Sequence, residues 1–289
     1  MEWVVSVADS GSKLLGFLSK QVSGYSAKAL KRVIESNRCQ INGRIERFAS
    51  TLVGHGDRIV LVLDEKPSVK FDLTRILLED EALLVYHKPA GVNCDEQGIV
   101  RILHQYHSQL ILVHRLDRDT TGVLLFVKAE AYFKSLVEQF KQHQVEKCYQ
   151  AIVDGCVKNK QGLIENYLYK ERLIAGQTIW GQRVTPPGLH AITKWECIKK
   201  SKTSTLLTCY PKTGRTHQLR VHLAGMGHPI LGDVQYGKQF KSPYQPARYL
   251  LHALRIQFEH PVTHQLICIE APLPQDFKES LKELFEESL

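Results

Sequence analysis

The chain has no apolar run long enough to cross a bilayer, and its mean hydropathy is only −0.21 over 289 residues. No membrane association is expected on that basis. The first residues, Met1-Glu2-Trp3 and the short apolar stretch after them, are too brief and too acidic to read as a secretory leader. Cysteine is scarce and unpatterned: seven residues, an odd number, with no Cys-x-x-Cys pair. That excludes a disulfide frame or a zinc knuckle and points to reduced, mostly buried thiols of a cytoplasmic protein. There is no internal repeat, no low-complexity tract and no glycine-rich phosphate loop. His104 and His107 have a metal-ligand spacing, but no third ligand stands nearby, so neither a metal nor any other cofactor is expected. What is present is enough apolar material, 43% of residues, for a substantial core.

The net charge is +8, and its placement says more than its size. Between residues 13 and 58 stand nine basic side chains, Lys13, Lys20, Lys28, Lys31, Arg32, Arg38, Arg44, Arg47 and Arg58. Only Glu35, Glu46 and Asp57 oppose them, a net of +6 in that window. A basic segment of this kind suits a polyanionic partner. Leu14, Phe17, Leu18 and Val22 form a helical stripe. Ser26 is placed to cap a second helix that carries Ala29, Leu30, Val33 and Ile34 on one face, with Lys28, Lys31 and Arg32 on the other. Asn42-Gly43 reads as a hairpin turn, and Gly54-His55-Gly56-Asp57 leads into a strand over 59–63.

Ser26 to Ile34, Cys39 to Gly43 and Gly56-Asp57-Arg58-Ile59 together resemble the S-four-type RNA-binding domain over roughly residues 10–64. The resemblance implies a small N-terminal α/β RNA-binding domain, placed at 1–66, with RNA contacts at Lys28, Lys31, Arg32, Arg38 and Arg44. Residues 64–70, charged and with a proline, read as linker, and the interdomain segment is set at 67–75. From 76 to 289, strand-length apolar runs occur at 82–86, 111–113, 123–127, 149–153, 204–210 and 266–270. Helical patterns occur at 132–140 and 216–226 and at the C-terminus around Phe277 to Phe285. More strand than helix without βαβ alternation predicts an α+β domain around a mixed, mainly antiparallel sheet flanked by helices.

Three polar clusters interrupt this pattern. His114-Arg115-Leu116-Asp117-Arg118-Asp119-Thr120-Thr121-Gly122 is pinned between two apolar strands, where catalytic groups commonly sit. Thr213-Gly214-Arg215-Thr216-His217-Gln218-Leu219-Arg220-Val221-His222 opens a helix, whose N-terminus favours anions. Lys88-Pro89-Ala90-Gly91 ends a strand in a turn. Read together, and with Gly227 to Asp233 and Leu251-His252-Ala253 downstream, they strongly resemble the RluA/RluD-type pseudouridine synthases over roughly residues 76–275.

The resemblance implies the pseudouridine synthase fold and an isomerase acting on RNA without a cofactor, with ribosomal RNA of the large subunit favoured over transfer RNA. Breaking the bond between base and sugar calls for a carboxylate near the anomeric carbon, as in glycosidases. The resemblance assigns that role to Asp117, as nucleophile or as base, both routes being open. Arg220 matches the cation that pairs with it, and Tyr149 the aromatic that stacks on the base. Arg115 matches the arginine that fills the space left by the flipped uridine. His217, His222 and His228 read as hydrogen-bonding residues around the motif. No obligate protein partner is expected, and a monomer is. Two other readings share these residues: a non-catalytic RNA-binding ribosome-assembly factor, and a hydrolase using the same carboxylate.

Overall fold

A computed structural model describes residues 1–22, 25–35, 38–63, 70–174, 177–237 and 239–286, apart from the side chains of Lys28, Ile174 and Gln177. The chain divides into two compact units, one built chiefly on residues 1–68 and the other chiefly on 69–289.

In the first unit, strand β1 (Glu2–Val4) precedes helices α1 (Leu14–Gln21) and α2 (Ala27–Glu35). Three short strands follow, β2 (Cys39–Ile41), β3 (Arg44–Ile45) and β4 (Arg58–Leu61), giving an antiparallel sheet of order β1-β4-β2-β3. The apolar stripe of α1 (Leu14, Phe17, Leu18) and that of α2 (Leu30, Ile34) bury against Cys39, Ile59 and Leu61. Ser26 caps α2: its Oγ accepts from the Ala29 amide at 3.2 Å. Asn42 and Gly43 both have positive φ, 52° and 78°, as the tight β2–β3 turn requires. The Asn42 side chain then ties that turn to the Gly54–Asp57 turn, donating to Asp57 at 2.8 Å and accepting from the Arg58 amide at 2.9 Å. The strand expected at 59–63 ends earlier, at Leu61. Residues 64–69 of the expected linker lie outside the described residues.

The second unit begins with β5 (Ile76–Glu79), β6 (Leu83–Lys88) and a short helix α3 (Ile99–His104) that the sequence pattern did not signal. Strands β7 (Ile111–Leu112) and β8 (Thr121–Val127) flank the loop that carries the first polar cluster. Helix α4 (Glu130–Lys141) leads to β9 (Glu146–Asp154), followed by β10 (Gln161–Ile174), β11 (Gln177–Arg183), β12 (Leu189–Lys200) and β13 (Ser204–Pro211). Helix α5 (Gln218–Gly225), strands β14 (Leu251–Glu259) and β15 (Leu266–Glu270) and helix α6 (Gln275–Phe285) complete it.

Eleven strands form one sheet of order β11-β10-β12-β13-β9-β14-β8-β6-β5, with β15 on β14 and β7 on β8. The β14–β8 junction is parallel, so the sheet is mixed and mainly antiparallel, as expected. Strands β6 and β8 read as continuous apolar runs because both faces are covered. Leu83, Val85, Val123 and Leu125 pack with Leu136 of α4. Their neighbours Leu84, Tyr86, Leu124 and Phe126 pack with Ile99, Val100 and Leu103 of α3. A third core joins β9 and β13 to Leu219 and Leu223 of α5 and to Phe277 and Phe285 of α6. The parallel junction depends on Gly122, whose φ is +120° and where a Cβ would fall 2.1 Å from the Ala253 carbonyl oxygen. Next to it, His252 donates from Nε2 to the Ala271 carbonyl and accepts from the Thr121 hydroxyl at 2.8 Å. Burial holds the His252 imidazole down at about 4, so it stays neutral in this arrangement.

Candidate active site

The loop carrying Asp117 is held from beneath. Lys88, the last residue of β6, is fully buried. Its ammonium donates to the carbonyls of Pro89 (2.9 Å), Arg118 (2.8 Å) and Thr120 (2.9 Å). Three donors meet three backbone acceptors, so the strand end is stitched to the loop on both sides of Asp119. Burial lowers the Lys88 ammonium to about 8, against the pull of the nearby Cys94, Asp119 and Asp117. His114, at the loop's start, stacks on Phe140 and accepts the Leu125 amide at 3.2 Å. Desolvation drives its pKa down to about 3, which suits a neutral acceptor rather than a titrating acid.

Asp117 is therefore presented on a fixed loop with its side chain 26% exposed. Arg220 Nη1 lies 3.6 Å from its Oδ2, and His217 Nε2 lies 4.0 Å from its Oδ1. The expected Arg220–Asp117 pair is thus present as a secondary contact. The principal partner of Arg220 is Asp233, which accepts from Nε at 2.7 Å and from Nη2 at 2.8 Å. Gln235 accepts a further bond from Nη2 at 2.8 Å. The guanidinium also lies against Tyr249 (4.4 Å to the ring centroid) and Tyr236 (4.9 Å). A bidentate carboxylate and two rings fix the plane of the guanidinium and leave Nη1 for Asp117. Asp233 and its charge hold the Arg220 pKa above its ordinary value in spite of burial.

His217 occupies a left-handed conformation, φ 56°, at the position before α5, which begins at Gln218 rather than at the expected Thr216. Its Nδ1 lies 2.7 Å from the Tyr236 hydroxyl, which already accepts from the Trp180 amide. Donation of the tyrosine proton to Nδ1 leaves the imidazole hydrogen on Nε2, the nitrogen that faces Asp117. Burial lowers the His217 pKa, with Asp117 opposing the shift.

Tyr149, on β9, is half-buried and packs against two of the three cores. Burial, and then the charge of Asp117, raise its phenol well above the ordinary value, and its hydroxyl has no hydrogen-bond partner among the described residues. Arg115 is exposed at the rim of a cavity of about 460 Å³ that also includes Val113 and Phe133. The structure thus brings Asp117, Arg220 and Tyr149 together and places Arg115 on the same loop as Asp117.

The remaining polar residues of the second motif are scaffold. Gln218 accepts from Thr213 (2.6 Å) and from the Arg215 amide, and donates to Ile192 and Thr193. His222 is fully buried and bonded to Thr193 and Asn166. His228 donates to the Asp154 carbonyl at 2.7 Å, and His104 to that of Leu110 at 2.9 Å. Sequence reasoning missed the parts played by Asp233, Tyr236 and Tyr249. Asp233 was visible as the end of Gly-His-Pro-Ile-Leu-Gly-Asp, but nothing in that string shows that it turns back onto Arg220.

The basic residues of the first unit differ in their settings. Lys31, Arg32 and Arg44 are exposed, with Lys31 3.7 Å from Glu35, while Arg38 is half-buried and engaged. The Lys28 side chain lies outside the described residues. Arg58 is paired with Glu2, and Lys20 with Asp9. Counted over residues 1–66, ten basic side chains face seven acidic ones, a net of +3, which leaves +5 on residues 67–289. The charge is less concentrated at the N-terminus than the window 13–58 suggests.

Comparison with known proteins identifies the family. Residues 82–225 match the family model described as RNA pseudouridylate synthase. The ribosomal large subunit pseudouridine synthase C of Haemophilus ducreyi is 33% identical, covering 98% of this chain and 95% of its own. An uncharacterized RNA pseudouridine synthase of Bacillus subtilis is 34% identical over 89% of this chain and 90% of its own. Among solved structures, human RNA pseudouridylate synthase domain containing 4 superposes with a TM-score of 0.61 at 28% identity, covering 73% of this chain and 94% of that one. The chain belongs to the RNA pseudouridine synthase family, whose members are isomerases.

Proposed function

We propose that the chain isomerises particular uridines to pseudouridine in large-subunit ribosomal RNA, with Asp117 as the catalytic carboxylate. The observation that carries the reading is the setting of Asp117: a reachable carboxylate on a clamped loop, 3.6 Å from a guanidinium that Asp233 and two aromatic rings keep in place. The reaction breaks the bond from base nitrogen one to the sugar and makes one from base carbon five. The proton on carbon five is lost and nitrogen one gains one, so no atoms are gained overall. Attack by Asp117 on the anomeric carbon, or proton removal from the adjacent sugar carbon, both need a carboxylate at that point. The base must first leave its stack, at a cost of a few kcal/mol. Arg115, exposed and without a carboxylate within 4 Å among the described residues, suits the vacated space. Tyr149 suits stacking on the base; its raised pKa keeps the phenol protonated, which favours that role over proton abstraction as phenolate.

The substrate class follows relatives that span nearly the whole chain and are named for the ribosomal large subunit. Residues 1–66 serve in this reading as an S-four-type RNA-docking domain through Lys28, Lys31, Arg32, Arg38 and Arg44. Mapping pseudouridines in ribosomal RNA from cells lacking the gene tests the substrate. One or more large-subunit sites should disappear and return with the restored gene; an unaltered large-subunit map with a lost transfer RNA site overturns the assignment.

A further inference from the structure

Away from Asp117, the second unit carries a lysine cluster that its proposed reaction does not use. Lys158 and Lys160 lie on the β9–β10 connection, Lys199, Lys200 and Lys202 at the β12–β13 turn, and Lys241 on the segment before β14; all six are exposed. Backbone hydrogen bonds bring these segments together. The Gly155 amide donates to the Thr203 carbonyl (2.7 Å) and the Cys197 amide to that of Lys160 (2.7 Å). Lys200 Nζ donates to the Lys158 carbonyl (3.1 Å), and the Lys241 amide to Asp154 (2.9 Å). Among the described residues, no carboxylate lies within 4 Å of any of the six ammonium groups. Asp154 is buried and taken up by the amides of Lys241 and Ser242. Glu196, on β12, is the other acid close in sequence, so two acids set against six lysines leave the edge strongly basic.

We infer that this edge, formed by Lys158, Lys160, Lys199, Lys200, Lys202 and Lys241, is a second docking surface for the sugar-phosphate backbone of RNA. Six like charges outnumbering the acids beside them, none ion-paired within 4 Å among the described residues, suit a polyanion, and flexible, strongly hydrated ammonium groups bind phosphates as point charges without reading sequence. Lys158 and Lys241 line a cavity of about 360 Å³ that includes Trp195 and Met226. Trp195 is only 4% exposed, so it offers no face on which bases could stack, which favours binding to the backbone over single-strand stacking. Tyr149 and Asp154 stand five residues apart on β9, a separation of about 17 Å. An RNA whose uridine sits at Asp117 therefore has to extend past the pocket to reach the lysines.

This inference rests on the proposed RNA substrate, and its test separates the two. In the full chain, Lys158, Lys160, Lys200 and Lys202 are each replaced by Gln. A control variant carries Gln at Lys134, Lys141, Lys278 and Lys282, exposed lysines of α4 and α6. Binding to a long RNA hairpin is followed by anisotropy as KCl is raised, and thermal melting checks that both variants stay folded. Each phosphate that is no longer neutralised lowers the slope of log K against log salt by about 0.7–0.9, so the first variant should show a slope shallower by about 3 and the control far less change. On deproteinised 23S ribosomal RNA, KM should rise with kcat retained. Equal slopes in the two variants overturn the inference, as does a variant that loses only its binding to phosphatidylserine vesicles. A wild-type protein that neither binds RNA nor forms pseudouridine refutes the functional reading instead.

Discussion

Replacing Asp233 probes whether Arg220 is held for Asp117 or merely buried. Asp233 is 1% exposed at its side chain and Arg220 6%, with two bonds of 2.7 and 2.8 Å between them. Removing one partner of a buried pair costs about 3–5 kcal/mol, because the other charge is left behind. Here Gln235 and Asp117 remain beside the guanidinium, so Asp233→Ala should sit near the lower end, about 3 kcal/mol. That lowers the melting temperature by roughly 6–12 °C for a protein of this size. Asp233→Asn keeps the shape and one acceptor and should lose about half as much. Tyr236 and Tyr249 still bracket Arg220, so the guanidinium should tilt toward Asp117 rather than leave. A misplacement of about 1 Å in a reacting constellation costs up to about 100-fold in rate. For Asp233→Asn, tritium release from RNA labelled at uracil carbon five should show kcat down by about 10–100-fold with KM near wild type, since Asp233 is too buried to touch RNA. A variant that melts lower yet keeps wild-type kcat refutes the argument and makes Asp233 a packing residue only.

Other substitutions test the frame. Gly122→Ala should prevent stable folding, because its Cβ would meet the Ala253 carbonyl at 2.1 Å in a conformation with φ +120°; a soluble variant of normal melting temperature contradicts the parallel junction described. Lys88→Met removes the donors to three carbonyls of the Asp117 loop and should lower both urea midpoint and kcat, whereas loss of stability with full kcat contradicts the clamp. His87, His222 and His252 are buried with pKa values pushed down to about 4. Between about pH 6.5 and 4 the unfolded chain binds protons that the folded one refuses, so stability is unaffected above that window and falls as pH drops through it. Urea midpoints measured at descending pH should decline, these three rings contributing up to about three protons to the uptake on unfolding and His114 and His217 adding to it, and a flat profile contradicts the burial of these rings.

Much of the catalytic unit was legible because its strands announce themselves. Continuous runs such as Leu83 to Tyr86 and Val123 to Val127 reflect burial on two faces, and the polar string between β7 and β8 stands out against them. Strands β10 and β12 were not read, for an opposite reason: residues such as Glu165, Lys170, Lys194 and Lys199 interrupt them on faces open to water. Helix α3 spans only six residues, too few for a 3.6-residue period to register. At the site, Asp117, Tyr149 and Arg220 could be named from motif resemblance. The bidentate hold of Asp233 could not, because 13 residues separate it from Arg220 and only the turn after α5 brings it back. The hydroxyl relay from Trp180 through Tyr236 to His217 joins residues up to 56 apart and leaves no local signal.

The central claim is that Asp117 performs the chemistry. Tritium release from uracil-labelled large-subunit ribosomal RNA, measured in parallel with RNA binding for the wild type and Asp117→Asn, tests it most directly. The account predicts release by the wild type, none above background by the variant, and comparable RNA affinity for both. Release by Asp117→Asn at the wild-type rate would contradict it.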